Sequence, residues 1–313
     1  MAVNDLVKTV DYNTIRSLIL AVYSTGSGTF GYGQTMASSF KLDHEKVSQT
    51  DWDNLRYDIV NSITHQDGVA PTITDINEGQ TISYSNNTTY TTLATQAQTN
   101  RLNLGAGQFL TQAATSATKT WSASTTPQFW LNQITCEITA TFSNSNQARW
   151  FFNSGGEIRI QTSRTGGTVN QQNNAWGTLL TTAGMQIFAS QTPTAGFSPM
   201  NGQNFYRLTN VYQTYYTISS SVPYNANSYT LQAKCDVADN SSGTATVVYL
   251  RVVMTDGYID PGDTPLDVPR TNEGVDGVFT VTVTEKKATG ALIPSGTFSI
   301  TSPTYSAGSI TGT

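Results

Sequence analysis

The chain has 313 residues, a formal net charge of −5 and only 12% charged residues, against abundant Thr, Ser, Asn, Gln and Gly. Its length suffices for a substantial core and for two domains, and its surface is polar but nearly uncharged, as in β-rich extracellular or virion proteins. Acidic residues outnumber basic ones before about residue 75 and after about residue 255. The slightly basic centre lacks the clustered Lys and Arg of a nucleic-acid surface, and the Lys286-Lys287 pair is too short to count.

In chain order, the opening MAVNDLVKTVDYN has neither a basic n-region nor a long apolar h-region, so it predicts no secretory signal and synthesis in the cytoplasm. No later run approaches the roughly 20 apolar residues of a membrane span. Asp11 is the expected N-cap of a first helix, with Tyr12, Ile15, Leu18, Ile19 and Val22 at helical spacing. The loop STGSGTFGYGQ stops that helix. A second helix is signalled by Thr50 with Asp53, and by Trp52, Leu55, Ile59 and Ile63 on one face. The two would form a hairpin, with Phe30, Tyr32 and Phe40 packing nearby.

Residues 69–125 are rich in Thr, Asn, Gln and Ser and predict a polar connector with short strands and one helix through Tyr90, Leu93, Ala94, Ala97 and Arg101. Their low apolar content suggests order only against a partner chain. From Phe129 the period changes to two. Ile134, Cys136, Ile138, Ala140 and Phe142 alternate with polar residues, which is a half-buried antiparallel strand.

The segment QARWFFNSGGEIRI, Gln147 to Ile160, follows. At least two of Trp150, Phe151 and Phe152 must anchor a core, Asn153 to Gly156 suit an abrupt stop and reversal, and Ile158 and Ile160 would face inward. A short helix bearing Trp176, Leu179 and Leu180 should end at Gly184, followed by strands at Met185 to Ser190, Val211 to Ser219, Ser228 to Val237 and Ala245 to Met254. DNSSG, Asp239 to Gly243, reads as the hairpin turn between the last two. A final pair, Gly277 to Lys286 and Gly296 to Ser302, completes the sheet. The prediction is an α+β, β-dominated chain: a helical hairpin at 1–68, a polar connector at 69–125, and an antiparallel sheet or sandwich with one or two covering helices at 126–313, with a possible sub-boundary near 270–277.

Chemistry is sparse. His44 and His65 lie in the helical part, far from any nucleophile motif, and read as surface or capping residues. The glycines 26, 28, 31 and 33 follow a helix and lack a P-loop lysine, so they describe an aromatic-bearing loop. Cys136 and Cys235 read as two buried free thiols. Asp256, Asp260, Asp263 and Asp267 are an oxygen-rich loop that calcium could use, though a solvated proline-bent loop is the plainer reading. Paired acids for glycoside hydrolysis, with Glu137 and Glu157 as further members, leave no sequence spacing by which to find them.

Three stretches, DYNTIRSLILAVYSTGSGTFGYGQ, TDWDNLRYDIV and QARWFFNSGGEIRI, together resemble virion structural proteins of tailed phages, especially T-even-like phages and phages of cyanobacteria. NNAWGTLL, YLRVVMTDGY and PSGTFSITSPTY extend the likeness more loosely. The resemblance implies a non-enzymatic virion component in the tail, neck or baseplate, with no cofactor, whose partners are copies of itself and other particle proteins. The residues expected at the docking contact are Tyr12, Ile15, Ile19, Phe30, Tyr32, Trp52 and Leu55, with packing inside the chain as the competing reading. Alternatives are a capsid decoration protein, a receptor-binding fibre contacting host-surface glycans through Tyr212, Tyr215, Tyr216, Tyr224 and Tyr229, and a polysaccharide depolymerase.

Overall fold

The computed structural model describes residues 8–190 apart from 78, 81, 123, 126–128 and 131, and then residues 203–258, 274–290 and 300–312. The chain is α+β: three helices lead, and two antiparallel sheets carrying two further helices follow.

Helix α1 (Thr9–Tyr23) buries Tyr12, Ile15, Ile19 and Val22, the face its periodicity marks. Its N-cap is Lys8 and not Asp11; Asp11 lies one turn in and accepts the Lys8 backbone N–H at 2.7 Å. Helix α2 (Gln49–Asp67) likewise has its N-cap two residues before the expected Thr50. Ser48 and Asp51 form the reciprocal box, and Gly68 ends the helix in the left-handed region at φ 78°.

Within residues 69–125 the expected helix forms, and it packs onto the hairpin. Helix α3 (Tyr84–Thr99) packs against α1 and α2, and the hairpin becomes a three-helix unit. Trp52 lies at its centre, edge-on to Tyr12 at 5.4 Å and to Tyr90 at 5.2 Å, so each helix contributes one aromatic ring. One buried aromatic, Tyr90, and two buried alanines, Ala94 and Ala97, suffice for α3, because alanine lets the helices approach closely.

Strand β1 (Phe109–Trp121) also falls within this stretch. It is the edge of a four-stranded sheet, and its partner is β8 (Gly277–Ala288) far along the chain, with Phe109 opposite Ala288 and Trp121 opposite Gly277. The sheet continues through β3 (Glu157–Thr165) to β4 (Met185–Phe188). In the second sheet β2 (Gln133–Thr141) pairs β7 (Val247–Thr255), which pairs β6 (Ser228–Cys235), which pairs β5 (Gln213–Ser219). The short β9 (Thr304–Ala307) and β10 (Thr311–Gly312) lie along the other edge of β2.

The predicted final pair is therefore corrected. β8 is a central strand of the first sheet, residues 300–303 are not strand, and most of the predicted second member lies outside the described residues. DNSSG contains the expected tight turn, with the Gly243 N–H donating to Asn240 O at 2.8 Å, but the turn sits within a longer loop between β6 and β7. Asn240 is buried there and uses its amide to bind Phe205 O at 2.7 Å and the Ala245 N–H at 2.8 Å.

The sheets meet across alternating apolar faces, Ile134, Ile138, Leu231, Leu250 and Val252 on one side and Ile158, Ile160, Val281 and Val283 on the other, all fully buried. Cys136 and Cys235 are buried and free, and burial pushes the Cys136 thiol up to about 11. Helix α4 (Ser145–Asn153) buries Phe151 and Phe152 together, as expected of the aromatic run. Phe152 touches Phe142 beyond β2, Phe188 in β4 and Phe205, stacked at 4.3 Å, and so joins both sheets. At the opposite end α5 (Gln171–Ala183) places Trp176 on Trp130, which packs edge-on against Phe279 of β8.

The helical unit is fastened to this sandwich by a latch at the end of α4. Asn153, fully buried at the end of α4, directs its amide N–H group at the carbonyls of Gly28, Phe30 and Gly31, 3.0–3.3 Å away, while Tyr206 OH donates to its Oδ1. Arg149, one turn earlier, donates to Thr25 O and Gly26 O. The Trp150 ring lies over Gly33, where a Cβ would come within 2.2 Å of it. The glycines therefore bring loop backbone against an aromatic and expose its carbonyls to two side chains. Asn153→Ala would remove the partner of the buried Gly31 carbonyl and of the buried Tyr206 hydroxyl and is expected to lower stability by about 3 kcal/mol in denaturant titration, with the midpoint shifted and the slope retained.

Candidate interaction surface

The residues expected at a docking contact are placed mostly inside. Tyr12, Ile15, Ile19, Tyr32, Trp52 and Leu55 are buried in the core and hold the helical unit together, and of these Trp52 also reaches the floor of a surface concavity. This corrects the docking assignment for six of the seven residues. Phe30 alone is exposed, at 39%, and the Arg101 guanidinium lies 4.2 Å above its ring. The tyrosine cluster is corrected in the same way: Tyr215, Tyr224 and Tyr229 are buried, Tyr229 with its hydroxyl 3.0 Å from Thr162 Oγ1 across the two sheets. Tyr212 is half-buried, stacked under Arg251 at 3.9 Å and donating to Glu137.

What the helical unit shows to solvent is a different set. Most of the large hydrophobic side chains exposed among the described residues precede residue 85, and the densest group is Val10, Phe40 and Leu42, 62%, 61% and 63% exposed. Phe40 was expected to pack inward and does not. Phe40 and Leu42 project from the segment joining α1 to α2, and that segment is held at several points. Asp58, fully buried in α2, accepts from the Ala37 and Ser38 N–H groups, both at 2.9 Å, and from Ser38 Oγ at 2.6 Å. Burial pushes its carboxyl up, and these three bonds pull against that.

Asn13 in α1 grips both sides of Lys41, donating to its carbonyl at 2.7 Å and accepting its N–H at 3.1 Å, and Lys41 Nζ pairs with Asp51 at 2.8 Å. Glu45 accepts the Leu42 N–H at 2.7 Å, and Thr9 Oγ1 donates to Glu45 O. His44 takes a left-handed φ of 69° at the loop tip. Two apolar side chains are thus held outward on a loop with little freedom left to lose, which is the arrangement that lowers the entropic cost of association.

Concavities flank this loop. One of about 510 Å3 runs over Val10, Val47, Trp52 and Ile82, with Lys8, Lys46, Asp43 and Glu45 around it. A second, about 450 Å3, lies between α1 and Phe40. Sequence periodicity could not find this surface, because it marks the face of a helix that is buried. The available signal was the alternation of Phe40 and Leu42 with charged residues in a segment predicted to be loop.

The remaining candidates for chemistry are occupied in structural roles. Glu157 is bound by Arg159 at 2.7 Å and Lys286 at 2.9 Å. Ser302 Oγ accepts from Lys287 Nζ at 2.9 Å and donates to the fully buried Glu285 at 2.7 Å, tying the C-terminal segment to β8. Asp256 accepts two bonds from Gln172 Nε2, while Asp260, Asp263 and Asp267 lie outside the described residues. No group of three or more His, Cys, Asp or Glu among the described residues is placed to hold a metal, and no helix among them is long and apolar enough to cross a membrane. Arg149 and Arg164 are buried and bonded within the chain, so the basic excess of the centre forms no patch from them.

His65 is neither a surface nor a capping residue. It is fully buried near the end of α2, with Nε2 3.0 Å from Ser154 O in the corner and its ring 5.2 Å from Tyr32, a second tie between the helical unit and the sandwich. Burial depresses its pKa from 6.5 to about 4, against the pull of the Ser154 carbonyl.

No protein-family model matches the chain, and no curated protein or solved structure is similar to it.

Two outcomes follow. The folded state excludes a proton that the unfolded chain takes up below pH 6.5, so the stability associated with His65 is full above that value and falls as pH drops to about 4. Comparing wild type with His65→Gln in denaturant titrations across this window should give a difference of about 3 kcal/mol that is pH-dependent and levels off below it. Phe40→Ser with Leu42→Ser, by contrast, should leave the melting temperature within a few degrees of wild type, because neither side chain contributes to the core.

Proposed function

We propose that the chain is a non-enzymatic structural component of a tailed-phage particle, in the tail, neck or baseplate, acting by self-assembly and by docking to other particle proteins. The observation that carries the reading is the pinned loop of the helical unit, which holds Phe40 and Leu42 in water beside Val10. Keeping such side chains out of the core forgoes roughly 1.5–3 kcal/mol each, and a rigid loop that does so is suited to being covered by another protein surface.

The sequence resemblance supports the same reading from another side. Two of its stretches, the FGYGQ loop and RWFFNSGG, are the two halves of the Asn153 latch. A likeness in both is a likeness in one packed unit. The helical unit is the part that docks, and the sandwich supplies the rigid body behind it.

Quantitative mass spectrometry of separated heads and tails from particles of the encoding phage tests the proposal. The chain is expected in the tail fraction at a fixed ratio to other tail proteins. Recovery with heads would make it a capsid decoration, and absence from purified particles would overturn the virion reading.

A further inference from the structure

We infer that the 39–47 loop and the concavities beside it form a self-complementary contact through which two copies of this chain pair about a twofold axis. The inference rests on the proposed structural role and names the surface that self-assembly would use.

A twofold contact needs one patch carrying both a projection and the hollow that receives it, because each copy presents the same surface to the other. This patch has both. Phe40 and Leu42 project, and the concavity of about 510 Å3 beside them is floored by Val10, Val47, Trp52 and Ile82. Val10 and Asp43 line both this hollow and the one against Phe40, which sets projection beside hollow, so the loop of each copy enters the hollow of its partner in a single closed contact. A head-to-tail arrangement would leave one of each unmatched and open.

The charges agree with the shape. The rim mixes signs over a few residues, with Asp43 and Glu45 against Lys8 and Lys46, all on residues exposed in the single chain. Such a rim is close to neutral and can meet its own copy with opposite charges together, whereas a rim of one sign would repel itself. The bonds from Asn13, Asp58 and Glu45 keep the projecting side chains in place before contact, so pairing orders little that is not already ordered. Apolar anchors ringed by charges, on a preorganised support, have the composition expected of a small protein interface.

Sedimentation velocity and light scattering on the purified full chain over a concentration series test this. A dimer in concentration-dependent exchange with monomer is expected. Phe40→Ser with Leu42→Ser should weaken it by about 100-fold or more while the melting temperature stays near that of wild type. Asp43→Lys alone and Lys46→Glu alone should each weaken pairing through like-signed rims, and mixing the two variants should restore a heterodimer. A chain that is monomeric throughout the series overturns the inference, as does a dimer unaffected by the serine pair or a charge-swapped mixture that fails to recover. Such failures in a chain recovered with phage tails leave the virion role standing and remove only this surface; absence from particles removes the role itself.

Discussion

The geometry of the whole chain turns on the amide of Asn153. One side chain at the end of a nine-residue helix shares its two amide N–H donors among three carbonyls of a glycine-rich loop and accepts from Tyr206, while its neighbours Phe151 and Phe152 anchor the sandwich core. Helical unit and sheets are thereby fixed to the same short segment, from opposite faces. The requirement is exacting because the bonds to the Gly31 carbonyl and from the Tyr206 hydroxyl are buried. A buried carbonyl without a donor is costly, so no apolar residue can replace the asparagine, and any side chain at Gly33 would collide with the Trp150 ring.

This explains what could be read from the sequence and what could not. Strands with clean alternation, such as Gln133–Thr141 and Ser228–Cys235, appear where the period of two places them, because one face of each is buried against a partner sheet. The aromatic corner and the helix through Trp176 were legible for the same reason: large apolar residues have few places to go. β1 was hidden because it is an edge strand exposed on both faces over most of its length, and with nothing to bury it has no pattern. The third helix was visible in outline only, since alanines and threonines carry a weak periodic signal even when, as at Ala94 and Ala97, they are fully buried. The caps of α1 and α2 were misplaced by two or three residues because several Asp, Ser and Thr near each start are competent to cap, and the local backbone selects among them.

The docking residues show a deeper limitation. A hydrophobic pattern ranks residues by how strongly they avoid water, and the strongest positions are the first to be enclosed by the chain itself. Tyr12, Ile15 and Leu55 were singled out correctly as apolar and periodic, and for that reason they are unavailable to anything outside. Contact surfaces in a chain of this kind are assembled from the side chains left over. Phe40 and Leu42 are identified only once the loop that carries them is known to be tied down. The charge pattern behaves similarly, because arginines that look like a basic region in the sequence are donors to Thr25, Asp276 and Glu157 in the fold.

The pairing of β1 with β8 also imposes an order on synthesis. β1 leaves the ribosome long before the strand it must join, and the first sheet has no centre until residues 277–288 exist. The three helices, the glycine loop and the α4 corner are all available earlier, so the latch can close around a sandwich still missing its middle strand. During that interval β1 is an unpaired strand of thirteen residues, and between its apolar ends the run 111–120 is only threonine, serine, alanine, one glutamine and one lysine, which gives it little tendency to aggregate while it waits. The polar character that made the segment look like a linker is what lets a strand so distant from its partner remain soluble until the chain is finished.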